Sequence, residues 1–331
     1  MLENSPLRLE NEITVVTPTF RRPQEAVELL DNLSRQTLLP AELILVDGAP
    51  PEEIATERAV KPLLSALPFP SQYIRHGGGT AIQRNVGIER SKTRFIALID
   101  DDIRLEPDFL GQIARVFAGD AEKKIGGIVG YRTNQHFDRN VQRWRWYRRL
   151  RFFSTYEPGH YDFASGYPIN VNLQPPFSGV REIDFMTTSC AVWRREVFEV
   201  GLSFDPFFLD YGMLEDAHFS LRARNRWKLL QCGDARCLHL HSPRGRPPSR
   251  KVGYKCVVNY YYVFQDIVRP LTWRHQVRFW RFQLFELLRV FSSAVRRRRW
   301  SDVMECWGRI EGIFAVTRGL ERIRANPKST K

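Results

Sequence analysis

Four short apolar runs, each followed by a stretch with helical spacing, constrain this chain more than any other feature in it. Ile13 to Thr17 is closed by Pro18, and Ala26, Leu29, Leu30 and Leu33 then recur at helical intervals. Leu43 to Val46 ends in Asp47-Gly48, and a helix over 51–60 is expected to stop before Pro62. Tyr73-Ile74 leads to three glycines, Gly77 to Gly79, and a helix over 80–90; Phe95 to Ile99 is the fourth run. Strands alternating with helices predict an α/β fold, a parallel sheet with helices on both faces. In such sheets the ligand lies at the carboxyl ends of the strands. Polar residues stand at those ends: Thr17 to Arg21, Asp47, and Asp100-Asp101-Asp102.

The rest of the chain is less regular. From about Tyr131 to Val180 the pattern dissolves into Gly, Pro, Asn and aromatics, including Arg143-Trp-Arg-Trp-Tyr-Arg-Arg-Leu-Arg151, and a mobile substrate or surface loop is expected there. Order returns over 183–193, in a helix over 214–225, and in a run over 227–230 that leads to His239 and His241; two or three helices follow from about Gly253. The 331 residues, 43% hydrophobic and 26% charged, suffice for a substantial core and exclude a disordered tail, a collagen-like repeat or a small disulfide scaffold.

Charge is concentrated at one end. Of the net +13, the segment from Arg269 to Lys331 carries +10, with 15 basic against 5 acidic residues. Leu284, Leu287, Leu288, Phe291 and Val295 recur at helical spacing and run into Arg296 to Arg299 and Trp300, a pattern suited to lying in an anionic membrane interface. A helix packed on the rest of the chain with a solvated basic end is the plainer alternative. No nucleic-acid-binding motif occurs, so nucleic acid is not expected as a partner. Five cysteines without C-x-x-C spacing point to a reducing cytosol. Neither a secretory leader nor a spanning helix is expected, because Met1 to Pro6 is not a basic stretch followed by an apolar one, and no uncharged apolar run reaches membrane length.

Three consecutive aspartates ending an apolar run are the sharpest chemical signal, since neighbouring carboxylates repel unless a cation or strong donors compensate. One acid alone would be read as a helix cap. Together with four other segments in order, the triple resembles the family 2 glycosyltransferases of the GT-A fold. The segments are Ile13-Thr-Val-Val-Thr-Pro-Thr-Phe-Arg21, Leu43 to Gly48, Gly79-Thr-Ala-Ile-Gln-Arg-Asn-Val-Gly87, Phe95 to Asp102, and Val192 to Phe198 with Leu214-Glu-Asp-Ala-His-Phe-Ser-Leu-Arg222.

The resemblance implies a GT-A domain over residues 1–245, a mixed, mostly parallel sheet flanked by helices; the residues beyond it read as a basic amphipathic helical region over 246–331. It implies inverting transfer of a sugar from a nucleotide diphosphate donor, a UDP-sugar, to a saccharide or lipid-linked acceptor, assisted by Mn2+ or Mg2+; the basic C-terminal stretch and the cysteines add the expectation of the cytoplasmic face of a membrane. Asp47 would contact the base, Arg84 and Asn85 the nucleotide, and Asp100 the ribose or nucleotide. Thr17, Thr19, Arg21, Asp101 and Glu215 fall among the nucleotide- and substrate-binding residues. Asp102 and His239 would hold the metal, with His241 as an alternative, and Asp216 would be the base. Many members carry an acid two positions after that base, where this chain has His218. A nucleotide-sugar-binding scaffold without turnover and a nucleotidyltransferase are the alternatives.

Overall fold

β1 (Ile13–Thr19) is buried along its whole length and forms the middle of a sheet. The structure, a computed structural model, describes residues 12–135, 142–208, 212–242 and 247–319. β1, β2 (Glu42–Asp47), β3 (Ser71–Arg75) and β4 (Phe95–Ile99) pair in parallel in the order β3-β2-β1-β4. They alternate with α1 (Pro23–Ser34), α2 (Ala55–Leu64) and α3 (Thr80–Arg90), as the four apolar runs require. α1 buries Ala26, Leu29, Leu30 and Leu33, the residues that set its period. α2 does not stop before Pro62 but carries it inside the helix. The ring removes the N–H that would bond the carbonyl four residues back, a loss confined to the last turn of the helix.

After β4 come β5 (Ile103–Leu105), α4 (Phe109–Ala118) and β6 (Ile125–Arg132), then, further on, β9 (Val180–Ile183), β10 (Cys190–Arg194), α6 (Glu196–Glu199), α7 (Glu215–Ala223) and β11 (Lys228–His239). β10 runs antiparallel between β4 and β6, β11 lies parallel to β6, and the nine strands form one mixed sheet in which β9 pairs off the main path with β11. The register Thr19↔Asp47 and the pairing of β1 with β4 bring the carboxyl ends of β1, β2 and β4 to one edge.

The expectation of a mobile loop over 131–180 is corrected in its described part; 136–141 lies outside the described residues. The segment holds α5 (Gln142–Arg149), a small hairpin of β7 (Tyr161–Asp162) and β8 (Tyr167–Pro168), and a 3-10 turn at Val171–Leu173. Trp144 and Tyr147, three apart on α5, are buried with Phe152, Phe153, Ile169 and Leu173 against Phe282. The Arg residues between the rings face outward, so the helical period was hidden by the alternation of charge and ring.

Phe282 belongs to the second of three C-terminal helices, α8 (Ser249–Ile267), α9 (Trp273–Arg297) and α10 (Trp300–Thr317). Tyr262, Val263 and Phe264 of α8 and Phe279 of α9 share one buried cluster with the sheet. α10 lies directly on α8: a Cβ at Gly308 would overlap the Arg250 carbonyl, and one at Gly253 would overlap that of Glu305. The expected boundary at 245 falls within 243–246, outside the described residues, as do the first 11 residues and the basic residues beyond 319.

Candidate active site

The acidic triple leaves β4 at its carboxyl end, where Arg22 lies against both Asp101 and Asp102 and Arg84 against Asp100. Asp101 is buried; it accepts from Thr19 Oγ1 at 2.7 Å and from Arg22 Nη1 at 2.8 Å. Burial nevertheless dominates and pushes its carboxyl up to about 7. Burial also acts to raise Asp102, but His239, Arg22 and the Ser242 amide outweigh it and hold that carboxyl below the usual range. Asp102 Oδ1 lies 3.2 Å from His239 Nε2, and its Oδ2 accepts from Ser242 N at 3.1 Å. Asp100 accepts from Arg84 Nη2 at 2.8 Å.

Arg84 ties this edge to α7. Its Nη1 donates to Glu215 Oε1 at 2.9 Å, so one buried guanidinium spans the end of β4 and the first turn of α7. Burial alone would lower its affinity for a proton, but Asp100 and Glu215 more than compensate, and it stays charged. Leu214, immediately before α7, has φ 70°, a left-handed conformation costly for a branched side chain. That turn presents Asp216 beside Glu215. Asp216 Oδ1 accepts from the Ala217 amide at 2.7 Å, and burial, followed by the neighbouring Glu215 charge, raises its carboxyl to about 7.

At the far end of β11, His239 stacks on His241 with ring centroids 4.0 Å apart, and the Gln135 amide reaches both, lying 3.0 Å from His239 Nδ1. The Gln135 contact at Nδ1 orients the His239 ring so that Nε2 faces Asp102. Asp102 and His239 are thus a carboxylate and an imidazole in contact, a donor pair suited to a divalent cation that also takes oxygens from a substrate. Among the described residues no group of three or more His, Cys, Asp or Glu side chains could hold a metal.

The remaining candidates divide. Asp47, buried at the end of β2, accepts from Tyr73 Oη at 2.6 Å and from Ala49 N at 2.9 Å. Gly78 and Gly79, both at positive φ, turn the chain into α3 beside it. Thr17 Oγ1 and Arg84 Nε are buried with no hydrogen-bond partner among the described residues, groups that a bound ligand or water would satisfy. Asn85 faces elsewhere: its amide donates to Phe204 O at 2.8 Å and accepts from Phe204 N at 3.0 Å, bracing the loop before α7. Arg21 pairs with Glu53 at the surface. His218 turns to α8, 2.8 Å from Asp266. Sequence reasoning missed Arg22, Tyr73 and Gln135, whose partners are 79, 26 and 104 residues away. Only Arg22, next to the first motif, carried a local signal.

The family model described as glycosyl transferase family 2 matches residues 14–201. The chain belongs to that family. Among curated proteins this family 2 chain is similar to the uncharacterized glycosyltransferase YwdF of Bacillus subtilis (strain 168), 29% identical over 153 residues, which are 44% of this chain and 56% of that protein. It thus spans little more than half of YwdF. It is 22% identical over 234 residues to the O-antigen chain rhamnosyltransferase RfbN of Salmonella typhimurium, covering 70% of this chain and 67% of RfbN. Among solved structures it is similar to the mannosyltransferase PcManGT from Pyrobaculum calidifontis in complex with GDP-Man and Mn2+, with TM-score 0.54 and 14% identity over 91% of this chain and 87% of that one. That likeness is one of fold, the GT-A fold.

Proposed function

We propose that this family 2 chain is an inverting glycosyltransferase that moves a sugar from a UDP-sugar to a hydroxyl of a saccharide or lipid-linked acceptor, with Mn2+ or Mg2+ assisting. The observation that carries the reading is the Asp102–His239 contact of 3.2 Å at the strand ends, linked through the triple and Arg84 to Asp216. The likeness to a rhamnosyltransferase and to a mannosyltransferase complexed with GDP-Man and Mn2+ supports a sugar-nucleotide donor and a metal.

Asp102 and His239 would hold the cation, which supplies Lewis-acid stabilisation of the charge that develops on the departing diphosphate. Asp47 and the glycine turn before α3 receive the nucleotide, with Thr17, Thr19 and Asp100 on the same edge. Arg84 fixes Asp100 and Glu215 in place and so sets where Asp216 stands. Asp216 takes the proton of the acceptor hydroxyl as its oxygen attacks the anomeric carbon from the face opposite the diphosphate; the C–O bond to the diphosphate breaks as the new one forms. A carboxyl near 7 suits a base that must hold and release a proton at neutral pH.

The exposed rings of α9 and α10 and the exposed Arg296 to Arg299 support work at the cytoplasmic face of an anionic membrane, as do cysteines that are all free. No described helix is long and apolar enough to cross a membrane.

The test is thermal stabilisation by a panel of UDP- and GDP-sugars with Mn2+, Mg2+ or chelator, followed by determination of the product's anomeric configuration. Stabilisation by a UDP-sugar only with metal, lost in Asp102→Asn and His239→Ala, is expected. A flat response to all donors with and without metal overturns the reading, and binding without transfer to any acceptor identifies a scaffold.

A further inference from the structure

We infer that the cavity between α5 and α9 receives the lipid diphosphate of a membrane-anchored acceptor, an inference that rests on the glycosyltransferase reading above. The cavity has a volume of about 810 Å3, within the range of small-molecule sites. Arg143, Arg289, Arg296 and Arg297 line it, and no carboxylate does among the described residues. Arg289 is already engaged by Glu286, at 2.9 Å through both Nε and Nη2. Three further guanidiniums therefore face a space without a lining acid, and guanidinium pairs bidentately with phosphate oxygens.

The same cavity is apolar elsewhere. Trp144, Leu173, Phe285 and Leu288 form much of its wall, so an anion alone would leave that surface unmatched. Leu288 also belongs to a row with Leu284, Phe291 and Val295, each between 55% and 63% exposed on α9. The apolar wall is thus continuous with an outer face suited to acyl chains. A phosphate joined to a hydrocarbon chain matches both halves; inorganic phosphate or a neutral lipid matches one.

The opposite wall points toward the site of transfer. Asn170, which caps the 3-10 turn, and Leu173, its last residue, both line the cavity. Within that turn Asn172 Nδ2 donates to Gln135 Oε1 at 2.9 Å, and Gln135 reaches His239. One short turn therefore has the cavity on one side and the candidate metal pair on the other. An acceptor with its diphosphate among the arginines and its chain along α9 would carry its sugar past this turn.

The experiment measures binding to the full chain by calorimetry with four probes: farnesyl diphosphate, farnesol, inorganic pyrophosphate and dihexanoyl phosphatidylglycerol. Farnesyl diphosphate is expected to bind at least tenfold more tightly than the other three. Arg143→Glu and Arg297→Glu should weaken it by tenfold or more, and Ser292→Trp, which fills the cavity, should abolish it. Equal affinity for all probes, or affinity indifferent to these substitutions, overturns the inference. Phosphatidylglycerol binding as well as farnesyl diphosphate also overturns it, since the cavity would then be a general headgroup site. UDP binding with Mn2+ is read on the same proteins. Its absence would sink the donor reading, whereas UDP binding without farnesyl diphosphate binding would sink this inference alone.

Discussion

Arg84 shows how one side chain organises the edge of a sheet. Buried between Asp100 and Glu215, it neutralises two acids that would otherwise repel each other. Arg84→Met should cost about 3–5 kcal/mol in urea unfolding, because both carboxylates are left without their cation. Arg84→Lys should recover only part, since a single ammonium cannot reproduce the fork. Asp216 carries a prediction of opposite kind. Below about 7 it is protonated and cannot accept the hydroxyl proton, so kcat/KM should rise with pH through that value and level off above it. Asp216→Asn should lower kcat by about 10²–10⁴-fold with little change in donor binding, checked by steady-state kinetics and calorimetry. Glu215→Gln removes the neighbouring negative charge that helps raise Asp216, so the acid limb of the profile should move to lower pH; an unmoved limb would argue that another group titrates.

At the scale of elements, the contact between α8 and α10 depends on glycine. Gly253, Gly308 and Gly312 each stand where a Cβ would meet the facing helix, although glycine within a helix costs about 1 kcal/mol relative to alanine. Gly308→Leu should destabilise the protein by roughly 1–3 kcal/mol through overpacking, read from the midpoint of chemical unfolding; an unchanged midpoint would show that α10 is not packed as described. The same scale shows what was readable beforehand. α1, β1, β2 and β4 announced themselves because their pattern and their burial coincide, whereas β3 at the sheet edge has no fully buried residue. α5 did not: Trp144 and Tyr147 are buried by Phe282 of α9, and without that partner its arginines make it look like a solvated loop. Pro62 misled because proline is a common stop signal, whereas α2 carries it within its last turn.

For the whole molecule, the distribution of charge and exposed rings sets an expectation about surfaces. Trp300, Trp307 and Phe314 of α10 are more than half exposed, as are Leu284, Leu288, Phe291 and Val295 of α9, close in sequence to Arg296 to Arg299. Flotation with phosphatidylglycerol vesicles should recover the chain at low salt and lose it as salt rises. Replacing Arg296 to Arg299 by glutamine should weaken the partition roughly a thousandfold, at about 1 kcal/mol for each basic residue near an anionic surface. Equal recovery of both proteins would remove the membrane from the account.

Local periodicity by itself determined the alternation of strand and helix, and with it the edge at which the acids of β2 and β4 had to emerge, because burial of one face or stripe is written within a few residues. Which acid meets which cation was decided only by the tertiary structure. Arg84 reaches Glu215 across 131 positions, His239 meets Asp102 because β11 pairs with β5, and Asn85 turns to Phe204 rather than to the strand ends. Those choices depend on how distant segments pack, and no spacing within a single segment encodes them.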